Sequence, residues 1–349
     1  MMHNPSQLVI GDASPPAPPG DGFAAFRMLT GLSVVVPVYN SRESLPILIA
    51  RLEPVLRTVA QQYELILVND GSRDGSWEVV RDQIKAHPWI RGLDLMRNYG
   101  QHNALLCGLR EVQHEIIVTM DDDLQHPPEE IPILIAKLSE GFDVVYGTPV
   151  SHPHSFGRNL ASRLTKFALQ GTMGAETARN VSAFRILRKR VCLAFTQYRN
   201  TFVSIDVLLT WGTQRFAAVA VRHDARVAGA SNYTVAKLTR HALNMITGYS
   251  TVPLQLASMI GFAFTIFGVG ILVYVLVRYV ASGGSIPGFP FLASIIAIFS
   301  GAQLFALGIL GEYLARIHTR TMDRPSYVVR EAVGSDAEFT EHDASRVVT

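Results

Sequence analysis

Two long stretches near the end of the chain carry no charged side chain. No Asp, Glu, Lys or Arg occurs from residue 242 to 277, or from 279 to 311. A bilayer core of about 30 Å is crossed by about 20 apolar helical residues, and each stretch is longer than that. The competing arrangement is a buried hairpin inside a soluble core, and the length and apolarity of both stretches weigh against it. Two spans with a short connection leave both flanks on the same side. The connection, residues 281–290, is uncharged and follows Arg278. Lys237 and Arg240 precede the first stretch, and Arg316, Arg320 and Arg324 follow the second. Basic residues favour the side that is not translocated, which predicts a multi-pass membrane protein with its N-terminal portion and both termini in the cytoplasm. Residues 241–255 are amphipathic and contain Pro253. They read either as a helix lying in the membrane interface or as an ordinary packed helix.

Upstream of these stretches the pattern alternates. Apolar, β-branched runs at residues 32–38, 64–69, 90–96, 115–120 and 143–148 predict strands. Helical patterns fall between them at 42–60, 75–86, 101–113 and 128–140. Strands that are apolar throughout and joined by helices predict an α/β domain whose mostly parallel sheet is covered on both faces. Ligands of such sheets bind beyond the carboxyl ends of the strands. Chemistry is therefore expected at residues 37–40, 69–72 and 121–125. Residues 1–27 carry Pro15, Pro16, Pro18 and Pro19 with little periodicity and read as a disordered tail. They show no basic start followed by an apolar core, so no signal peptide is expected. From about Gly334 the chain is polar and also expected to be loose. The formal net charge is +2, which implies no general polyanion surface and no nucleic-acid partner. Cys107 and Cys192 follow no metal or disulfide spacing and read as buried, inert thiols.

Three aspartates, Asp121-Asp122-Asp123, close the apolar run Ile116-Ile117-Val118-Thr119-Met120, and Gln125 follows. Clustered carboxylates at a strand end suit a hard divalent cation, which binds oxygen and shares its coordination with substrate phosphates. The alternative is an acidic turn ahead of the helix that Pro127-Pro128-Glu129-Glu130 begins, because carboxylates also favour helix N-termini. Asp70 stands at another strand end, in Val68-Asn69-Asp70-Gly71-Ser72. It could accept hydrogen bonds from a base or ribose, although Asp-Gly-Ser is also common turn chemistry.

In this order and spacing the motifs resemble the inverting family 2 glycosyltransferases of GT-A fold. The resemblance is narrower to the polyprenyl-phosphate glycosyltransferases, and it covers about residues 32–330. It rests on Val36-Pro37-Val38-Tyr39-Asn40, on Val68-Asn69-Asp70-Gly71-Ser72, on Arg97-Asn98-Tyr99-Gly100-Gln101-His102 and on Asp121-Asp122-Asp123-Leu124-Gln125. It extends to Ala183-Phe184-Arg185, to Arg226-Val227-Ala228-Gly229-Ala230-Ser231-Asn232-Tyr233, and to Gly311-Glu312-Tyr313-Leu314-Ala315-Arg316-Ile317 with Arg324-Pro325-Ser326-Tyr327 after it.

The resemblance implies roles. Asp121, Asp123 and Gln125 would hold Mg²⁺ or Mn²⁺ on the donor diphosphate. Pro37, Tyr39, Asn40, Asp70 and Asp122 match the nucleoside pocket. Arg226 and Ser231 match a loop that closes on phosphates. Arg158, with Ser162 and Arg185, would meet the acceptor phosphate. The chain departs from the family twice. Ser41 stands where a Glu is usual after Tyr-Asn, with Glu43 two residues on and assigned to the donor site. Asn180 stands where an Asp often precedes Phe-Arg, so no general base is carried over. A lipid monophosphate, with a second pKa of about 6, is already largely anionic at neutral pH and needs none.

The expected organisation is a tail at 1–27, a GT-A domain at 28–235, interfacial helices at 236–254, a two-helix hairpin at 255–318 and a cytoplasmic tail at 319–349. The expected activity is metal-dependent, inverting transfer of a sugar from a nucleotide sugar, UDP-linked rather than GDP-linked, to membrane polyprenyl phosphate for cell-envelope glycan or lipid modification. A homo-oligomer, a tetramer, is the assembly that similar two-span enzymes suggest. A processive polysaccharide synthase would carry a Gln-X-X-Arg-Trp motif and more spans, and neither is found. A nucleotide-sugar-binding scaffold without turnover is the remaining alternative, and the intact aspartates argue against it.

Overall fold

The computed structural model describes residues 28–149, 181–200, 203–224, 252–281 and 288–334. Its centre is β1 (Leu29–Val38), whose side chains alternate between two cores because successive residues of a strand face opposite ways. Val34, Val36 and Val38 pack with Leu45, Leu48, Ile49 and Leu52 of α1 (Ser44–Val59). Val35 packs on the other face with Ala104, Leu105 and Leu106 of α3 (Gln101–Glu111). The remaining elements of the N-terminal half are β2 (Ala60–Asn69), α2 (Ser76–Ala86), β3 (Ile90–Leu95), β4 (Ile116–Thr119), α4 (Ile131–Ser139) and β5 (Val144–Pro149). All nine elements anticipated here are present, with ends shifted by a few residues. The helix expected over 128–140 starts as a 3₁₀ turn at Pro128–Glu130. Arg51 of α1 holds that turn with two hydrogen bonds to Glu129, at 3.0 and 2.8 Å.

The second half adds β6 (Arg185–Arg188), α5 (Lys189–Cys192), α6 (Ile205–Gly212), β7 (Phe216–Val221), two long helices α7 (Val252–Ala281) and α8 (Phe289–Thr321), and β8 (Val329–Val333). The sheet runs β7-β5-β6-β4-β1-β2-β3-β8. Only β6 and β8 are antiparallel to their neighbours among the described strands. The chain lays β1, β2 and β3 outward in one direction and then returns to put β4 on the other side of β1. The strand order therefore reverses between β1 and β4, which is where an open α/β sheet has its ligand crevice.

The helices α7 and α8 contain segments, Ala257–Ala281 and Ile298–Thr321, that are long and apolar enough to cross a membrane. They touch through Phe264 and Phe299, whose rings meet edge to face at 5.7 Å. Many of their apolar side chains face outward, Phe262 at 69% exposure and Leu304 at 70% among them. An apolar exterior of this extent suits a helix solvated by lipid. Pro253 falls in the first turn of α7. Residues 241–251 of the amphipathic stretch lie outside the described residues.

One expected boundary is revised by the geometry. The segment after the second apolar helix is not only a tail. Ser326 donates a hydrogen bond to the Asn200 carbonyl at 2.7 Å, and the Arg110 guanidinium lies over the Tyr327 ring at 5.4 Å. Strand β8 then pairs with the exposed edge of β3, which gives that edge the ladder partners it would otherwise lack.

Candidate active site

Four loops at the carboxyl ends of β1, β2, β3 and β4 meet in one place. The β1 loop turns at Asn40, whose φ is 54°, a left-handed conformation that Asn tolerates better than most residues. Its backbone N–H donates to Ser72 Oγ at 3.0 Å, and its Oδ1 accepts from the Arg73 N–H at 2.9 Å. The β2 loop turns at Gly71, where φ is 68° and a Cβ would lie 2.6 Å from the Asn98 nitrogen. Only glycine fits there, and the close approach brings the third loop onto Asp70. Both Asp70 oxygens then accept backbone hydrogen bonds, from Tyr99 at 2.7 Å and Gly100 at 2.9 Å. Burial pushes the Asp70 carboxyl up to about 6, against those two bonds and the nearby Arg97 charge, which pull it down.

The three aspartates after β4 do different things. Asp122 crosses the β1/β4 crevice, where its carboxylate accepts from the Tyr39 N–H at 3.2 Å and from the Ser41 hydroxyl. Burial raises Asp122 to about 6, opposed by those bonds. Asp121 accepts from the Gln101 amide at the start of α3. Asp123 accepts from the backbone N–H of Gln125 at 3.1 Å, across Leu124, a buried residue at φ 60°. A leucine in the left-handed region is strained, and such strain concentrates where a loop must present particular groups.

The donors present fit a hard divalent cation. Two carboxylates and an amide oxygen are oxygen ligands of the kind Mg²⁺ and Mn²⁺ take. Among the described residues no three His, Cys, Asp or Glu side chains close into a cage. Such cations are commonly held by one or two carboxylates together with substrate phosphates. The same corner holds an imidazole pair. Both ring nitrogens of His126 are buried without a hydrogen-bond partner, and its ring meets that of His223 at 5.0 Å. Burial first, then His223, pushes His126 down to about 4, so it is neutral near pH 7. His223 follows β7, and the adjoining Asp224 N–H donates to the Gln125 carbonyl at 2.9 Å. That contact was not legible in the sequence, because nothing local ties residue 223 to residue 126.

Pro37, Tyr39, Asn40, Asp70, Asp121, Asp122, Asp123 and Gln125 are thus brought together. Glu43 stands exposed at the N-cap of α1, and the side chain that reaches Asp122 is Ser41. Arg185 goes elsewhere. It is 2% exposed, its guanidinium is paired with Asp206 of α6, and it lies 5.7 Å from the Tyr146 ring. With a carboxylate already against it and no solvent access, it is a core residue, and the expected contact with an incoming phosphate is not supported. Arg158, Ser162, Asn180, Arg226 and Ser231 lie outside the described residues. A cavity of about 730 Å³ beside Tyr198, Arg199, Trp211, Arg320 and Asp323 shares no residue with the strand-end loops.

Residues 33–194 match the family described as glycosyl transferase family 2. The undecaprenyl-phosphate 4-deoxy-4-formamido-L-arabinose transferase of Yersinia enterocolitica is 35% identical over 89% of this chain and 95% of that protein. The enzyme of the same name from Photorhabdus laumondii is 33% identical over 89% and 97%. Among solved structures, glucosyl-3-phosphoglycerate synthase from Mycobacterium tuberculosis with Mn²⁺, UDP and glucosyl-3-phosphoglycerate is 18% identical, with a TM-score of 0.48 over 62% of this chain and 78% of that one. Mannosyl-3-phosphoglycerate synthase from Rubrobacter xylanophilus is 15% identical, with a TM-score of 0.46 over 61% and 70%. With this identity over nearly the full length, and with the strand-end aspartates assembled at the switch point of the sheet, the chain belongs to glycosyl transferase family 2 and is a glycosyltransferase.

Proposed function

We propose that the protein moves a sugar from a UDP-sugar to a polyprenyl phosphate held in the membrane, with inversion at the anomeric carbon. The observation that carries this reading is Asp122 bridging the β1/β4 crevice to Tyr39 and Ser41, with Asp121 and Asp123 on either side. That arrangement offers nucleoside contacts and diphosphate contacts side by side. The two apolar helices and the acceptor named for the relatives support a lipid phosphate as the second substrate. The sugar named for those relatives, 4-deoxy-4-formamido-L-arabinose, is the first to test.

Asp70 and the Asn40 turn suit the nucleoside. Asp121, Asp123 and Gln125 suit a divalent cation, which when bound would stabilise the charge that develops on the departing diphosphate. The remaining task is alignment. The lipid phosphate oxygen attacks the anomeric carbon from the side opposite the diphosphate, the bond to the diphosphate breaks, and the configuration inverts. The nucleophile is already anionic, so positioning and charge stabilisation supply the acceleration. Arg158 and Ser162 are proposed for the acceptor phosphate, and Arg226 and Ser231 for closing on the donor. The active domain and both termini are proposed to face the cytoplasm from the inner membrane, and the assembly to be a homo-oligomer.

The test is transfer by full-length protein in vesicles containing polyprenyl phosphate, with Mg²⁺ or Mn²⁺ and a panel of nucleotide sugars. The expected result is a lipid-linked sugar, lost in EDTA and lowered about 10²–10³-fold by Asp123→Asn with membrane association unchanged. Near-wild-type rates in EDTA would overturn the metal assignment. Donor consumption that ignores the lipid phosphate would point to polymer synthesis, and no consumption of any donor would point to a scaffold.

A further inference from the structure

Strand β8 does more than close an edge. Its register against β3 shifts between Asp94 and Leu95: Asp94 lies opposite Glu331 and Leu95 opposite Val329. Arg330 is the extra residue, and a bulge of this kind re-aims the side chain that it carries. The Arg330 guanidinium donates to Asp94 Oδ2 at 3.1 Å and to the Met96 carbonyl at 2.7 Å. Asp94 is 2% exposed. Its other oxygen accepts from Asn69 Nδ2 at 2.6 Å. Asn69 is equally buried, and its Oδ1 accepts from the Ser72 N–H at 3.3 Å. Ser72 Oγ in turn accepts from Asn40 N–H at 3.0 Å.

A continuous hydrogen-bonded series thus runs from the strand that follows the membrane helices to the two loops proposed to hold the nucleoside. We propose that Arg330 is a positioning residue for the donor site, acting through Asp94, Asn69 and Ser72 on the Asn40 turn. The inference rests on the donor reading given above and adds to it the element that orders the pocket.

The physical reason is the buried carboxylate. Asp94 is held in its orientation by the cation that faces it, and a buried charge without a partner is unfavourable. Remove the cation, and Asp94 turns toward solvent. That turn releases the Asn69 amide, and with it the hydrogen bond that sets Ser72. The pocket stays in place on its strands but loses its preorganised turn, so ligand binding must supply the ordering. The consequence falls on donor affinity rather than on the chemical step.

The experiment uses the full-length protein in lipid nanodiscs. Arg330→Gln, Arg330→Lys and, as a control on the same strand, Glu331→Gln are compared with wild type. Glu331 accepts from Trp77 Nε1 at 3.0 Å and has no part in the series. The readouts are Kd for UDP and GDP with Mn²⁺, donor KM, kcat at saturating donor, and Tm. Arg330→Gln is expected to raise Kd and donor KM about tenfold, with kcat within about threefold, since a hydrogen bond to a charged group carries energy of that order. Arg330→Lys should recover part of the loss, because it keeps a cation against Asp94. Glu331→Gln should leave Kd within about twofold. Two outcomes overturn the inference alone: wild-type affinity in Arg330→Gln, or an equal loss of affinity in Glu331→Gln, which would make β8 a merely structural clamp. A wild type that binds neither UDP nor GDP overturns the donor reading and this inference together.

Discussion

Asp70 carries two of the properties that the nucleoside pocket needs, and they oppose each other. Burial raises its pKa to about 6, while the Tyr99 and Gly100 N–H groups favour the ionised form. The folded state therefore keeps this proton to higher pH than the unfolded chain, whose Asp titrates near 3.9. Between those values the folded state binds more protons, so the contribution of Asp70 to stability falls as pH rises through the window from about 4 to about 6. Binding runs the other way, because the carboxylate is the better acceptor for a nucleoside hydroxyl or amine. The expected outcome is nucleotide-sugar affinity that rises as pH increases through about 6. Asp70→Asn should bind weakly and lose that rise. Calorimetry with the nucleotide sugar and no acceptor removes the lipid phosphate, which also titrates near pH 6, and the comparison with Asp70→Asn separates Asp70 from Asp122, which burial also raises to about 6. A wild-type affinity that is flat from pH 5 to 8 would remove Asp70 from the pocket.

At the scale of elements, β6 and α6 show how the sheet's middle is held. Strand β6 inserts antiparallel between β4 and β5, and the Thr119 hydroxyl accompanies it with a 2.9 Å bond to the Ala183 carbonyl. Arg185 leaves this strand toward Asp206 on α6, and the Tyr146 hydroxyl donates to the same carboxylate at 3.1 Å. Removing one partner leaves a buried, uncompensated charge, which costs about 3–5 kcal/mol, whereas replacing both by apolar groups is often neutral. Asp206→Ala should therefore lower the unfolding free energy by about that amount, and Arg185→Met with Asp206→Leu should recover most of it. Urea unfolding in detergent followed by near-ultraviolet circular dichroism tests both. Equal losses in the single and double variants would count against a charge-based account. The four residues of β6 give little local signal: only Ala183-Phe184-Arg185 was legible there, as a family motif and not as a strand.

On the scale of the whole molecule, the apolar helices interrupt the sheet domain rather than follow it. The organisation expected from the sequence, with a GT-A domain at 28–235 ahead of the hairpin and only a tail after it, implies that deletion from about residue 252 releases a soluble domain that still binds nucleotide. The structure changes that expectation, because the deletion also removes β8, Tyr327 and Ser326. Trp77, Asp94 and Arg110 then lose Glu331, Arg330 and Tyr327, and the edge of β3 is left open. A fragment ending at residue 251 should come off the membrane fraction, bind nucleotide poorly and tend to associate. A version in which a flexible linker replaces 252–321 and retains 322–334 should stay monodisperse and bind better. Sedimentation and nucleotide titration of the two proteins decide the point, and equal behaviour would mean that β8 is dispensable.

The alternating elements, the carboxylates at the end of β4, the Gly71 turn and the apolar spans were all determined by the chain itself. Each is a local property, set by side-chain periodicity, by backbone sterics at one residue or by an uninterrupted run of apolar groups. The tertiary structure decided what those groups face. It put Ser41 rather than Glu43 against Asp122, enclosed Arg185 with Asp206, and set His223 beside His126. It also returned the chain across both long helices to lay Arg330 on Asp94. These contacts join residues far apart in sequence. They depend on which strand edges stay open once the parallel core has formed and on where an unpaired buried charge finds its partner, and no local pattern encodes either.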